Sequence, residues 1–138
     1  MSKFPKPDAA KNAAYVDVQA YNGSDRRIRG ERVDVSFPVS VTHDGILIHG
    51  YTEALNLSWS GMLLATNFPL HAEDTVDLEF ILPDSEIVLH VRGRVTRVAE
   101  SPTPDAPVIM GVLFTEVDTN VARMIQGYVL TNLPDHST

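Results

Sequence analysis

Asn56-Leu57-Ser58-Trp59-Ser60-Gly61 places a side-chain amide, a hydroxyl and a glycine at fixed offsets within six residues. Apolar segments flank it, from Ile46 to Leu57 before and Met62-Leu63-Leu64-Ala65 after. Asn and Ser turn a chain by bonding nearby backbone, and Gly does so by tolerating positive φ. The stretch therefore reads as a polar turn joining two strands, and the segments around it repeat the strand pattern.

Upstream, Val33, Val35, Phe37, Val39 and Val41 alternate with Asp34, Ser36, Pro38, Ser40 and Thr42. This is the period-2 signature of a half-buried strand. Pro38 on the polar side predicts an edge or bulged position. His43-Asp44-Gly45 predicts a hairpin, followed by a second strand from Ile46 to Leu57 with Gly50 as a bulge or bend. Met62 to Thr66 is the third strand. After a loop, Val76, Leu78, Phe80 and Leu82 alternate with Asp77 and Glu79, and Pro83-Asp84-Ser85 turns the chain. In the next strand Ile87, Leu89, Val91, Gly93 and Val95 share one face, and His90, Arg92, Arg94 and Thr96 the other. The phase slips near Arg97-Val98, predicting a bulge or a strand end. A proline-rich loop, Pro102 to Pro107, cannot pair centrally, and Val108 to Phe114 makes the sixth strand.

The end of the chain changes period. Asp118 or Thr119 can cap a helix whose Val121, Met124, Ile125, Tyr128 and Val129 form one stripe, and Leu133-Pro134 stops it. Met124 and Tyr128 are assigned to the core. The expected fold is mainly β: a six-stranded antiparallel β-barrel with a C-terminal α-helix, since closure removes exposed edges. Residues 1–24 read as a flexible N-terminal extension in which Tyr15, Val16 and Val18 can pack, and residues 25–138 as the barrel domain with its helix.

The 138 residues are 43% hydrophobic and 21% charged, ordinary for one folded domain. There is no cysteine, hence no disulfide or thiolate metal site, and His43, His49, His71, His90 and His136 show no metal-ligand spacing. Met1 to Ala10 holds no apolar run of a secretion signal, and no segment is apolar enough for membrane insertion, so a cytoplasmic location is expected. Neither a nucleophile–base pair nor a Gly-rich phosphate loop is present, so no enzyme is expected and no cofactor.

The net charge of −7 argues against binding polymeric nucleic acid. The basic residues are nonetheless unevenly placed. All three lysines fall within the first eleven residues, while Arg26, Arg27, Arg29 and Arg32 crowd into seven. Guanidinium presents a planar fork to phosphate and to the O6/N7 edge of guanine, and it stacks on rings. A polar turn and an arginine cluster on an acidic body point to a small anionic ligand carrying bases.

At this point the chain resembles the PilZ-domain family, whose members are receptors for the second messenger cyclic di-GMP. The family pattern is R-x-x-x-R just before the first strand and D/N-x-S-x-x-G at a later strand end. Asn56, Ser58 and Gly61 match the second motif in full. The layout agrees from Arg32-Val33 through Leu78 to Pro83, Gly93-Arg94-Val95 and Gly111-Val112-Leu113-Phe114 to the final helix, covering roughly residues 25 to 132. The first motif departs from the pattern: Ile28 stands four residues before Arg32, with Arg27 one place too far and Arg29 one too near.

The resemblance implies that Arg32, with Arg27 or Arg29, pairs with phosphate or guanine, that Asn56 and Ser58 hydrogen-bond a base, and that Gly61 lets backbone approach it. Arg26, Trp59 and Arg94 stand at the periphery of that site. Trp59 either flanks a bound base or plugs the barrel end or a partner interface. Arg92 and Arg94 either extend the site or form cross-strand ion pairs with Asp77 or Glu79. The implied role is a cyclic di-GMP receptor that relays the messenger's level to a downstream protein partner. The alternative is a PilZ-like adaptor that has lost the nucleotide and acts through protein–protein contact in motility or pilus function.

Overall fold

The computed structural model describes residues 31–133 apart from 69, 100–102 and 104, together with the backbone of Tyr15 and Val16. Arg26, Arg27 and Arg29 lie outside the described residues, as does the rest of the predicted extension. The strands are β1 (Tyr15–Val16), β2 (Val33–Pro38), β3 (Ser40–His43), β4 (Ile46–Leu47), β5 (Thr52–Ser58), β6 (Gly61–Thr66), β7 (Thr75–Ile81), β8 (Val88–Ala99) and β9 (Val108–Asp118), followed by helix α1 (Thr119–Asn132). All pairings are antiparallel, in the order β2-β5-β6-β9-β8-β7-β3-β4, with β1 added to β9. Strands β2 and β3 are one stretch interrupted only at Val39, which begins the path of the curled sheet as β2 and rejoins it as β3, next to the terminal β4.

The expected class holds, but the strand count does not: among the described residues nine strands stand where six were predicted. Two of the three extra strands come from local effects that split predicted strands. Pro38 has no N–H to donate, and the stretch breaks just after it; the Val39 N–H instead bonds the Thr52 carbonyl at 3.0 Å. Asp44 and Gly45 both have positive φ, 53° and 77°, the pattern of a type I′ hairpin turn, and they fold β4 back onto β3. Gly50, at φ 145°, then redirects the chain so that β5 pairs with β2. The predicted second strand is therefore two strands on opposite sides of a bend. The remaining addition is β1, where Tyr15 pairs with Asp118 and Val16 with Val117.

Alternation fills the interior. Val33, Phe37, Val39 and Val41 are buried along β2–β3, as are Val76, Leu78 and Phe80 on β7 and Leu89, Val91 and Val95 on β8. Phe37 and Phe80 stack with centroids 5.5 Å apart. Ile87 departs from the predicted inner face: it precedes β8 and is 57% exposed. The helix buries Ala122, Ile125 and Val129, and Val121, Met124 and Tyr128 flank them against the core. Its N-cap is Asp118, whose Oδ1 accepts the Asn120 N–H at 2.8 Å. Burial, with a contribution from the Asp84 carboxylate, pushes the Tyr128 phenol above its ordinary pKa.

Candidate functional site

Antiparallel register joins the two motifs. Val33 pairs with Leu57 and Asp34 with Asn56, so the residue just before β2 arrives beside the end of β5. There the Arg32 Nη1 donates to Asn56 Oδ1 at 3.3 Å across 24 positions of chain. A bulge makes this possible. Ala54 pairs with Leu64 and Asn56 with Leu63, leaving Leu55 as the extra residue on β5. Ala54 and Leu57 can thus both be buried three positions apart, while Asn56 between them turns toward Arg32. Strict alternation would have sent Asn56 to the same face as Ala54.

The turn is held by its own hydroxyl. Ser58 Oγ accepts the Ser60 N–H at 3.3 Å and lies 3.3 Å from both the Gly61 carbonyl and Ser60 Oγ. Ser58 is only 1% exposed. At Gly61 a side chain has no room, because a Cβ would come within 2.3 Å of the Val112 carbonyl oxygen. The Ser60 carbonyl accepts the Phe114 N–H at 2.8 Å, tying the turn to β9. Much of what looks like a recognition motif in sequence is thus the chemistry that seats the turn against β9. Trp59, 3% exposed, belongs to the hydrophobic core cluster.

Beside this turn lies a groove of about 370 Å³, walled by Arg32, Ser58, Ser60, Gly61, Arg97 and Leu113 among others. Arg97 was missed as a site residue, although the phase slip next to it was visible in the sequence. Val95 pairs with Val112 and Arg97 with Gly111, so Thr96 is a bulged residue. The bulge leaves Thr96 and Arg97 both exposed in succession. Gly111 makes room for them: a Cβ there would stand 3.2 Å from Thr96 Oγ1. Among the described residues, no carboxylate lies within 4.0 Å of Arg32 or Arg97. Two guanidinium groups with spare donors on one open groove suit an anion.

The other arginines are differently engaged. Arg92 Nε donates to Asp77 Oδ1 at 2.9 Å, the predicted cross-strand pair, and its Nη1 lies 3.5 Å from Glu116. Arg94 stands 3.7 Å from Glu73 and does not line the groove. Among the described residues no three His, Asp or Glu side chains gather as metal ligands. No described helix is long and apolar enough to cross a membrane.

Comparison with known proteins agrees with this fold. The fold is similar to that of the Bacillus subtilis inhibitor of motility MotI/DgrA, with a TM-score of 0.63 and 17% identity over 73% of this chain. This chain spans about half of that protein, 48% of its length. It is also similar to the PilZ domain of CeSA from a cellulose-synthesizing bacterium, with a TM-score of 0.55 and 17% identity, covering 74% of this chain and 97% of that one. No curated protein matches the chain in sequence. The sequence pattern of the PilZ domain matches residues 25–131. The chain belongs to the PilZ domain family, a family of cyclic di-GMP receptors.

Proposed function

We propose that this chain binds cyclic di-GMP in the groove beside the Asn56–Gly61 turn and relays the messenger's level to a protein partner. The observation that carries this reading is the Arg32–Asn56 contact, 3.3 Å, at the edge of a groove that also holds Arg97. Two phosphodiesters supply negative charge for the guanidiniums, and a guanine offers its O6/N7 edge to arginine. Asn56 supplies an amide to the base, and Ser58, which lines the groove, holds the turn in place. Arg27 or Arg29 adds the second arginine of the family's first motif, and Arg97 makes up for its altered spacing. Arg26 and Arg94 add peripheral positive charge to the site. The chain acts as a receptor in the cytoplasm, without metal or cofactor, and catalyses no reaction on its ligand.

Isothermal calorimetry with cyclic di-GMP tests this. The expected result is micromolar or tighter binding, about 8 kcal/mol in total, weakening as salt is raised. Ile28 at the position of the family's first arginine favours the second reading, an adaptor without nucleotide. Absence of heat at ligand concentrations near a millimolar would leave that adaptor reading standing. Appearance of ligand breakdown products would refute the non-enzymatic role.

A further inference from the structure

We propose that a second groove, at the opposite end of the barrel, docks an extended segment of another protein with an apolar centre and lysine or arginine on its flanks. The groove encloses about 440 Å³ between the end of β2, the starts of β3, β5 and β8, and the end of β7. Val39 and Phe80, both core residues, lie beneath it. Its walls are Tyr51, Ile81 and Val88, which are 60%, 43% and 45% exposed, and Ile87 follows on at 57%. Ile81 and Val88 are paired across β7 and β8, where the next outward pair on the same strands is Glu79 with His90. Single exposed aliphatic residues need no explanation, but a contiguous apolar wall around a groove marks an interaction surface.

Charge selects the occupant. Glu79 lines the groove, Glu53 follows Tyr51 and Thr52 on the adjoining strand, and Asp84 and Glu86 precede Ile87 in sequence. Among the described residues no lysine or arginine lines it. Arg92 and Arg94 are paired with Asp77, Glu116 and Glu73, and Arg32 and Arg97 line the other groove. An acidic rim around an apolar centre complements a basic-flanked apolar segment. It opposes a second copy of this chain, which would bring the same carboxylates and a net charge of −7. The two grooves lie at opposite ends of β5, at Thr52 and Ser58, six residues or roughly 20 Å apart. Both can therefore be filled at once.

The test is an amide NMR titration of the full chain with three synthetic peptides of about twelve residues. One carries a Val-Phe-Leu centre between lysines, one the same centre between glutamates, and one a serine centre between lysines. The expected result is that only the first shifts the Tyr51, Glu79, Ile81 and Val88 resonances, saturating below about 1 mM. Ile81→Asp and Val88→Asp should each weaken it by roughly tenfold or more. Leu130→Asp, on the exposed face of α1, should leave it unchanged. Unaltered melting temperatures show that these exposed sites keep the fold. The proposal is overturned by no shift with any peptide, by an equal response to the glutamate-flanked peptide, or by shifts confined to the Arg32 groove. Concentration-dependent shifts without peptide would show self-association and overturn it too. So would the same resonances moving when residues 1–14 are removed, which would show the chain filling its own groove.

Discussion

The turn from Asn56 to Gly61 and the arginines facing it form the two halves of the proposed site, and they are built in opposite ways. Ser58, Trp59, Ser60 and Gly61 are buried, and the turn is tied to β9 through the Ser60 carbonyl. Arg32 and Arg97 are exposed, held by little more than the Arg32–Asn56 contact, and carry no carboxylate partner among the described residues. The difference separates two kinds of sensitivity. Changes in the turn act first on stability, because they disturb packing and buried hydrogen bonds. Changes in the arginines should act on the proposed anion binding, because their groups already stand in water.

The sharpest way to break that distinction is Gly61→Ala. A methyl there meets the Val112 backbone oxygen at 2.3 Å, and backbone cannot swing aside as a flexible side chain would. The expected loss is about 3 kcal/mol of unfolding free energy in urea denaturation. A cost below about 0.5 kcal/mol would show that β6 and β9 are less tightly apposed than the structure has them.

Arg32→Ala should show the reverse profile. Calorimetry should find cyclic di-GMP affinity down by about thirtyfold, near 2 kcal/mol, with the denaturation midpoint almost unmoved. Arg97→Ala should follow with about a tenfold loss and a shallower salt dependence. If either variant unfolded instead, the division between a structural half and a binding half would collapse.

Ser58→Ala sharpens the comparison from the other side. Removing the hydroxyl leaves the buried Ser60 N–H without its acceptor, for about 1 kcal/mol of lost stability measured by denaturation. Affinity measured well below the melting temperature should fall far less than in Arg32→Ala. The smallest effect is expected of Asn56→Asp. A carboxylate beside the Arg32 guanidinium gains an exposed ion pair worth about 0.5 kcal/mol, seen as a slight rise in melting temperature that high salt removes.

Much of the local structure was legible without coordinates. Alternation in 33–41 and 76–82 marked strands because one face must be apolar to be buried, and Asp44-Gly45 marked a hairpin because its turn needs positive φ. The stripe on α1 and the capping Asp118 follow from helical geometry alone. Asn56, Ser58 and Gly61 stood out by their offsets. The bulge at Thr96 was also foreshadowed, since Val95 and Val98 cannot share a face of an unbroken strand.

What sequence by itself determined, then, is the set of local elements, the acidic charge and a pair of candidate motifs. Those properties depend on each residue's own backbone preference and on neighbours within a few positions. Tertiary structure decided the rest. Only the β2–β5 register, with Leu55 bulged out, could show that Asn56 faces Arg32. Only the pairing of β6 with β9 could show that Gly61 is required by Val112. Arg97 and the apolar groove at Tyr51, Ile81 and Val88 became visible only once distant strands lay side by side. Register is a property of two segments at once, and a one-residue slip sends every side chain to the other face, which is why no single segment could reveal it.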